Sequence, residues 1–506
     1  MNKFIQKHER LIMILAPTLI GILYIVLCAV NLRQSVWFDE SYGAYLTRFS
    51  FADVWKLTTV DVHPPLYYFL LKLWSGIFGH TDFGMRFMSV FFGAVAIIFA
   101  WQWLKRRFGI KPALLATLFM AVSPMLIRYG QEMRMYTMAA AIIFGSTYVL
   151  QLAIDTKKLK YWIVYGVLIA LGMWTHYFVA LILLAHLAYL VYIYRKKIFQ
   201  KNIVISYALA VILYLPWLPA FLSQADEVQK GFWIGAPSLI TITDYFAMTT
   251  LYRDSAGVSG WLLVLSLVIF GGLVFLGRKL DKKSLLLKLM AFLPPVLLLL
   301  VSLPPFIPMF VDRYIIHSMV CVAIIVGVGI ATIKFRRKIV PYLMTTLFLG
   351  AAVAGIVNVY SIGNYNFVTN SRSDAKALFE NIVLNSEEGQ PIISNSEWLY
   401  YDLAFYGNEQ HPVYFVDELV TYKWGSHRPL EWHSLGKITD LDAFLEEHEV
   451  VWFVGSLPKN DSLEFPREGF RVLQDIILDV NVNQAPYQAL QLSRTADVDY
   501  TIEMRL

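Results

Sequence analysis

Cysteine is almost absent from the chain: Cys28 and Cys321 are the only two among 506 residues, and both lie in apolar runs. Two isolated cysteines provide neither a disulfide framework nor the ligand spacing of a metal site. Charged residues are also scarce, at 16% against about 25% in soluble domains, whereas apolar residues reach 57% against about 45–50%. These deficits exclude a disordered chain, a collagen-like chain and a disulfide scaffold, and they predict an integral membrane protein.

The few charges are divided unevenly along the chain. Residues 1–359 carry 33 Lys and Arg against 14 Asp and Glu, whereas residues 360–506 carry 10 against 23, within a net charge of +6. A basic, apolar part followed by an acidic, less apolar part predicts a domain boundary near residue 360. We therefore expect a transmembrane domain in residues 1–359 and an extracytoplasmic domain in residues 360–506.

Long apolar stretches recur through the first part, and about 20 residues are needed for each crossing of the hydrocarbon layer. They predict eleven transmembrane spans, near residues 11–30, 86–104, 112–128, 134–153, 161–175, 177–194, 203–221, 261–277, 286–303, 314–333 and 340–358. The first apolar run is long and has no small-residue cleavage site before Trp37, which predicts a retained signal anchor.

Lysine and arginine are concentrated in every second connection between these spans. Those connections hold 23 of the 33 basic residues and only three acidic ones, Glu9, Asp155 and Asp281. The positive-inside rule then predicts a cytoplasmic N-terminus and an extracytoplasmic C-terminal domain. Because each basic cluster adjoins a span end, nucleic-acid binding is the weaker interpretation.

Adjacent carboxylates, Asp39 and Glu40, follow Trp37 and Phe38 in the first outer loop. Burial in a low-dielectric setting would raise the pKa of one carboxylate and suit it to general-base chemistry. The alternative is that Asp39 caps a helix and that Glu40 is merely solvated. Spacing alone does not separate the two interpretations.

The same loop continues with DVHPPLYY at residues 61–68. Apolar residues between the two motifs recur at near-helical spacing, which predicts interfacial helices, with Ser50 as a cap for the second half. A lone histidine such as His63 is more often structural than a ligand. The Pro64-Pro65 backbone would fix its direction in either role.

Further polar residues fall at the outer ends of later spans. The short loop 128–136 contains Arg128, Glu132 and Arg134, and such charges mark a functional site unless Glu132 pairs with one of the two arginines. His176 lies at the third outer turn. Arg313 opens the tenth span, where an arginine either snorkels to lipid headgroups or binds a phosphate.

In their order and shared outer side, these motifs resemble the polytopic C-type (GT-C) glycosyltransferases. Within this group the sequence is most similar to glycosyltransferase family 39, with its protein O-mannosyltransferases and the lipid A aminoarabinose transferase. The resemblance is carried by Asp39-Glu40, by residues 61–68, by the run from Ser123-Pro124 to Tyr136, and by residues 175–178. It is strongest over residues 35–180, and the multi-span layout extends it to about residue 358.

The resemblance implies a mainly α, polytopic fold with interfacial helices on the outer face. It also implies a polyprenyl-phosphate-linked sugar donor, an acceptor hydroxyl on a lipid, glycan or protein, and inversion at the anomeric carbon. In such proteins the first acidic residue of the outer loop is the catalytic base, and that position matches Asp39. The other candidate substrate-binding residues are Glu40, Asp61, His63, Tyr67, Glu132, Arg134, His176, Arg313 and Tyr314.

By the same resemblance, Arg134 and Arg313 would contact the donor phosphate. Because the leaving group is already a phosphate monoester, a metal is not obligatory, and a divalent ion (Mg²⁺ or Mn²⁺) stays open. The expected location is a bacterial plasma membrane, with membrane lipids around the chain and no nucleic-acid partner.

Residues 360–506 alternate between strand and helix patterns, which predicts a small α/β domain. The expected strands are 391–394, 413–415, 450–454, 470–480 and 489–493, and the expected helices are 373–385, 398–406 and 441–447. The absence of a Gly-rich phosphate loop gives nucleotide binding no support. This domain either covers the active site, recognises the acceptor, or serves only packing.

A transporter or flippase of lipid-linked sugars is the alternative function. Such proteins place polar residues near the bilayer midplane, often in broken and repeated helices. Here the acids and arginines cluster at span ends and the sequence has no internal repeat, which favours a glycosyltransferase. The dense charged motifs also argue, more weakly, against a non-enzymatic assembly protein.

Overall fold

The computed structural model describes residues 9–231, 234–253, 260–261, 263–264, 267–268, 271–272, 281–362, 365–366, 371–372, 374–420, 422, 427–432, 435–457, 462–478 and 486–494. Contacts divide the chain into two compact units. The helical unit comprises residues 1–32 and 54–363, and the sheet unit comprises residues 33–53 and 364–506.

Sixteen α-helices are described before residue 363. In chain order they are α1 (Glu9–Ala29), α2 (Phe38–Leu46), α3 (Phe51–Thr59), α4 (Leu66–Phe78), α5 (Asp82–Phe108), α6 (Ile110–Ala121), α7 (Pro124–Gly130), α8 (Tyr136–Thr156), α9 (Leu159–Thr175), α10 (Val179–Tyr194), α11 (Lys201–Tyr214), α12 (Leu218–Gln229), α13 (Leu239–Leu251), α14 (Leu285–Leu300), α15 (Ile316–Thr332) and α16 (Ile339–Ile362).

The described residues contain seven helices that are long and apolar enough to cross a membrane, or eight if the bent pair α6 and α7 is one span. The predicted count of eleven spans is therefore not confirmed by this criterion. The predicted span 11–30 coincides with α1, whose apolar part is Met13–Ala29, and the predicted span 161–175 coincides with the 17-residue helix α9. The predicted span 261–277 lies largely outside the described residues.

The predicted span 112–128 is not one straight helix. It is broken between Ala121 and Pro124, and its two halves are bent by 55°. The residue before a proline is pushed out of the helical region, and Ser123 is extended at ψ 122°. Pro124 then occupies the first position of α7, where its missing N–H costs no hydrogen bond.

Helices of the helical unit approach each other closely where a glycine replaces a side chain. A Cβ added at Gly327 of α15 would lie 2.5 Å from Ala116 Cα of α6, and one at Gly166 of α9 would lie 2.5 Å from Ser206 O of α11. Buried aromatic residues such as Trp162 and Tyr165 fill the core between α8, α9, α10 and α11. These close contacts hold the helices of this unit against one another.

The sheet unit contains the remaining elements. They are β1 (Tyr365–Asn366), β2 (Ser371–Arg372), α17 (Ala375–Leu384), β3 (Ile392–Ser394), α18 (Glu397–Tyr406), β4 (Val413–Val416), α19 (Arg428–Trp432), β5 (Lys437–Ile438), α20 (Leu441–Glu447), β6 (Val450–Ser456), β7 (Phe470–Leu478) and β8 (Tyr487–Arg494). The helices and strands predicted for residues 373–493 are all present, with ends that differ by a few residues.

Six of these strands form one mixed sheet in the order β5-β4-β3-β6-β8-β7. The pairs β5-β4, β4-β3 and β3-β6 are parallel, and β8 runs antiparallel to both β6 and β7. One face buries Ile393, Val451, Phe453 and Leu490. The mainly helical fold with a small α/β part agrees with the predicted fold class.

Residues 33–53 belong to the sheet unit because α2 packs on α18. Phe38 lies 4.1 Å from the Trp398 ring centroid, and Tyr45 lies 5.0 Å from that of Tyr401. Ser41 Oγ donates a hydrogen bond to the Asp402 carboxylate. Composition along the chain gave no sign of this association.

Candidate active site

Four polar side chains of the helical unit form one connected network. The Arg134 guanidinium lies 3.3 Å from His63 Nε2 and 3.4 Å from Tyr68 Oη. Asp61 Oδ2 lies 3.4 Å from His63 Nδ1 and 3.5 Å from Tyr68 Oη. The arginine can only donate, so its partner nitrogen on His63 is an acceptor, and the other ring nitrogen faces the Asp61 carboxylate. The network therefore fixes the His63 ring in direction.

Local structure brings these residues to the ends of helices. Asp61 and His63 lie in the connection between α3 and α4, and Pro65 is the N-cap of α4. Arg134 lies in the connection between α7 and α8, where its carbonyl accepts a hydrogen bond from Ser89 Oγ at 3.2 Å. Tyr67, also predicted for the site, is buried and packs edge-on against Tyr68.

Glu132 forms its described ion pair with Arg128. Its carboxylate lies 2.7 Å from the Arg128 guanidinium, and both side chains are at most 2% exposed. Arg128 also donates from Nε to Tyr252 Oη at 2.6 Å. The ion pair that the sequence offered as an alternative for Glu132 is thus present, and it neutralises a buried charge. A contact between Glu132 and a substrate stays a prediction.

His176 lies between α9 and α10, where four aromatic rings surround it, including that of Phe178 at 5.6 Å between centroids. The ring centroids of His63, Tyr136 and Tyr314 lie 6.1, 5.7 and 5.3 Å away. Burial holds the pKa of His176 well below its usual range, and nearby basic groups, including Arg134, lower it further. The ring is therefore neutral near pH 7 and acts as a hydrogen-bonding group rather than as a cation.

Arg313 and Tyr314 approach the same place from a third part of the chain. Tyr314 stacks on Phe178 with ring centroids 4.5 Å apart, and the Arg313 guanidinium lies 5.9 Å from the Tyr314 ring centroid. Arg313 and His317 are both among the groups that lower the pKa of His176. His317 was not predicted for the site, because a histidine inside an apolar run has no motif around it.

A cavity of about 830 Å³ adjoins this group of basic side chains. His63, His176 and Tyr314 line part of it. The rest of its wall is mostly apolar and includes Val62, Met173, Phe178, Phe221, Phe306 and Met309. A volume of this size accommodates a long apolar group, with its polar end at the histidines.

A second series of side-chain hydrogen bonds fixes one wall of this cavity. Trp217 Nε1 donates to Tyr177 Oη at 2.8 Å, and that hydroxyl donates to the Gln224 carboxamide. Gln224 Nε2 donates in turn to Thr58 O at 2.7 Å. Gln224 lies on α12, and no sequence motif marked it as a candidate, since its partners are distant in the chain.

Asp39 and Glu40 lie in the sheet unit, in the first turn of α2. Trp37, and not Asp39, is the N-cap of this helix. The Glu40 carboxylate accepts a hydrogen bond from Trp37 N at 3.4 Å and is fully buried, so it is not merely solvated. Asp39 is half-buried. The sequence alone could not show which of these two neighbouring acids is buried, whereas the structure shows that Glu40 is buried and Asp39 only half-buried.

Among the described residues, no group of three or more His, Cys, Asp and Glu side chains could hold a metal ion. Asp61 and His63 are each drawn into the network with Arg134, which is a poor arrangement for binding a cation. We therefore derive no step of the reaction through a metal.

Comparison with known proteins adds two findings. Residues 62–219 match the profile of the dolichyl-phosphate-mannose-protein mannosyltransferase family. The crystal structure of ArnT from Cupriavidus metallidurans bound to undecaprenyl phosphate superposes with a TM-score of 0.62 at 13% identity, over 94% of this chain and 97% of that one. The chain has the GT-C fold.

The GT-C fold is equally evident in the apo structure of the same ArnT, with a TM-score of 0.59 at 13% identity and the same shares of both chains. A direct comparison with the sequences of curated proteins gives no match. The predicted resemblance to C-type glycosyltransferases and the predicted multi-pass fold are confirmed. The mannosyltransferase profile begins at residue 62, so it covers all of the motif at residues 61–68 except Asp61. It also covers Arg134 and His176.

Proposed function

We propose that the chain is a membrane glycosyltransferase. It transfers a sugar from a polyprenyl-phosphate donor to an acceptor hydroxyl and inverts the anomeric carbon. The GT-C fold and the mannosyltransferase profile support the reaction class. ArnT was crystallised with undecaprenyl phosphate, which is a lipid of the proposed donor type.

One observation carries this proposal: basic side chains and a large apolar cavity adjoin each other in the helical unit. A polyprenyl phosphate has the matching division, with an anionic head and a long apolar tail. Arginine provides charge-assisted hydrogen bonds to phosphate oxygens. Burial of the tail contributes roughly 0.8 kcal/mol per methylene group. The donor would thus place its head near Arg134 and its tail in the 830 Å³ cavity.

The proposed roles of the basic residues follow from charge. When the bond between the anomeric carbon and the phosphate oxygen breaks, negative charge grows on the leaving phosphate. Arg134 and Arg313 would stabilise that charge, because fixed cations cost no reorganisation during the reaction. His63 and the neutral His176 would hydrogen-bond the phosphate or the sugar. Asp61 would orient His63, as its 3.4 Å contact suggests.

Asp39 is the proposed general base. The acceptor oxygen forms a bond to the anomeric carbon on the face opposite the leaving phosphate, and its proton passes to the Asp39 carboxylate. Polyprenyl phosphate leaves with the electrons of the broken bond. Half-burial leaves Asp39 accessible to an acceptor, whereas Glu40 is committed to the start of α2. A role for Glu40, Tyr67 or Glu132 in substrate binding would be indirect or through packing, whereas Tyr314 lines the cavity proposed for the donor tail.

We further propose that the N-terminus is cytoplasmic and the sheet unit extracytoplasmic, in a bacterial plasma membrane. The alternation of basic connections supports this orientation. Sugar transfer would then occur at the outer face, where a lipid-linked donor and an envelope acceptor can meet.

Replacement of Asp39 by asparagine tests the proposal. Asp39→Asn keeps the side-chain shape but cannot take up the acceptor proton, so transfer should fall at least 100-fold, in line with the roughly 10²–10⁴-fold contribution of general bases. Asp53→Asn on α3 is the matched control and should transfer at the wild-type rate. Transfer is followed as release of polyprenyl phosphate from the sugar donor. Full transfer by Asp39→Asn would contradict the assignment of the base.

A further inference from the structure

The sheet of the sheet unit reverses its strand order between β3 and β6. The chain passes from β3 to β4 and β5 on one side, and then returns to β6 on the other side of β3. Both β4 and β6 are parallel to β3. In open α/β sheets, a crevice forms at the carboxyl ends of the strands at such a point, and ligands bind there.

A cavity of about 400 Å³ lies at this position. Its wall comes from the residues that follow β3, from the end of β6, from α18 and from the start of β8. The polar and aromatic residues that line it are Asn395, Ser396, Trp398, Asp402, Ser456 and Tyr487. The cavity is therefore built by the topology of the sheet and not by a surface irregularity.

Asn395 presents a hydrogen-bonding group that is not satisfied in the part of the chain that the structure describes. Its Oδ1 is buried and has no donor among the residues that the structure describes. A Cβ at Gly455 would lie 2.5 Å from Asn395 Nδ2, so glycine at that position leaves room for the amide. A buried, unsatisfied polar atom is costly unless a ligand or water satisfies it.

Trp398 gives the cavity an apolar face. Its side chain remains 45% exposed, although Phe38 packs on it at 4.1 Å and the His427 ring at 4.4 Å between centroids. These neighbours hold the indole in one orientation. A rigid aromatic surface beside hydrogen-bonding groups suits a ligand that has both an apolar face and hydroxyls.

The described lining of the cavity disfavours an anion. None of the described residues that line it is basic, whereas Asp402, only 5% exposed, contributes a carboxylate. A carboxylate accepts hydrogen bonds from hydroxyl groups and repels phosphate. Ser396 and Ser456 add hydroxyls that both donate and accept.

We propose that this cavity binds one uncharged sugar residue of a glycan. The sugar ring stacks on Trp398, and its hydroxyls hydrogen-bond to Asn395 and Asp402. The site binds without reacting. In the proposed function that glycan is the acceptor, and this last step alone rests on the proposed transfer.

The full-length chain in detergent, probed with glucose, mannose, galactose and N-acetylglucosamine by saturation-transfer NMR, tests the site. At least one of these sugars should receive saturation from the protein, and the 6-phosphate of that sugar should bind at least tenfold more weakly than the sugar itself. Trp398→Ala and Gly455→Ala should each raise the dissociation constant of the bound sugar tenfold or more. Trp432→Ala removes a comparably exposed tryptophan of the same unit and should leave binding unchanged.

Two results would overturn the site: no saturation of any neutral sugar by the folded chain, or equal binding by Trp398→Ala and Trp432→Ala. Thermal unfolding of each variant shows whether it is folded, and Gly455→Ala keeps the test independent of the tryptophan. The binding measurement needs no donor. Failure of sugar binding with intact transfer would therefore contradict the site alone, and failure of transfer with intact binding would contradict the proposed function alone.

Discussion

Arg134 is 2% exposed, and in the described network its guanidinium contacts the His63 imidazole and the Tyr68 hydroxyl. A guanidinium held in this way is suited to charge-assisted hydrogen bonds with phosphate oxygens. In the proposed function that phosphate belongs to the sugar donor.

Replacement of Arg134 by glutamine should weaken donor binding. A charge-assisted hydrogen bond contributes about 1.5–3 kcal/mol, so the dissociation constant of polyprenyl phosphate should rise about tenfold or more. Titration of the purified variant with polyprenyl phosphate, monitored by native mass spectrometry, provides the constant.

Lys160→Ala is the control for this prediction, because it removes the same charge from an exposed position on α9. It should bind the lipid as the wild type does. Arg313→Ala tests the second cation if Arg134→Gln does not fold. Wild-type affinity in both arginine variants would refute the phosphate assignment.

The motifs identified most of these side chains from sequence but not their contacts. Arg134 and His63 are 71 positions apart, and their 3.3 Å contact depends on how two helix connections meet. Tyr68 lay inside the predicted motif yet was not selected, although its hydroxyl links Arg134 to Asp61. Side-chain pairing across the fold is not encoded in local spacing, and therefore local reasoning misses it.

Helices α6 and α15 pack so closely that only glycine fits at residue 327. A methyl group there would lie 2.5 Å from the Ala116 Cα, which is backbone and cannot rotate away. Gly350, on the neighbouring helix α16, has open space around its missing Cβ. The two glycines therefore differ in packing but not in secondary structure.

Substitution of each glycine by alanine should have opposite effects on stability. Gly327→Ala should cost about 1–3 kcal/mol through overpacking and lower the thermal unfolding temperature in detergent. Gly350→Ala should be neutral or stabilising by up to about 1 kcal/mol, since alanine is the better helix former. The same unfolding temperature in both variants would show that α6 and α15 do not approach as described.

Several elements were predictable because their signals are local. Ser50 Oγ accepts a hydrogen bond from Asp53 N at 3.2 Å, as its predicted role as a cap requires. The bend between α6 and α7 could also have been read from Ser123-Pro124, but a hydropathy window averages over it.

The division of the molecule into two units was predictable from the sequence only in part. Strand and helix periodicity predicted the elements of the sheet unit well, because each follows from its own residues. The membership of residues 33–53 depends instead on contacts such as Phe38 with Trp398, 360 positions later. Composition assigns each segment to its neighbours in the chain, so it cannot detect such an association.

The most direct test of the whole account is to supply the purified wild-type chain, in proteoliposomes, with polyprenyl-phosphate sugars and an envelope-glycan extract. Mass spectrometry would follow each donor, the released polyprenyl phosphate and the glycan. We predict that one donor is cleaved, that polyprenyl phosphate appears in equal amount, and that the sugar joins the glycan with inverted configuration. Movement of an intact donor across the bilayer without cleavage would contradict the account and favour a transporter of lipid-linked sugars.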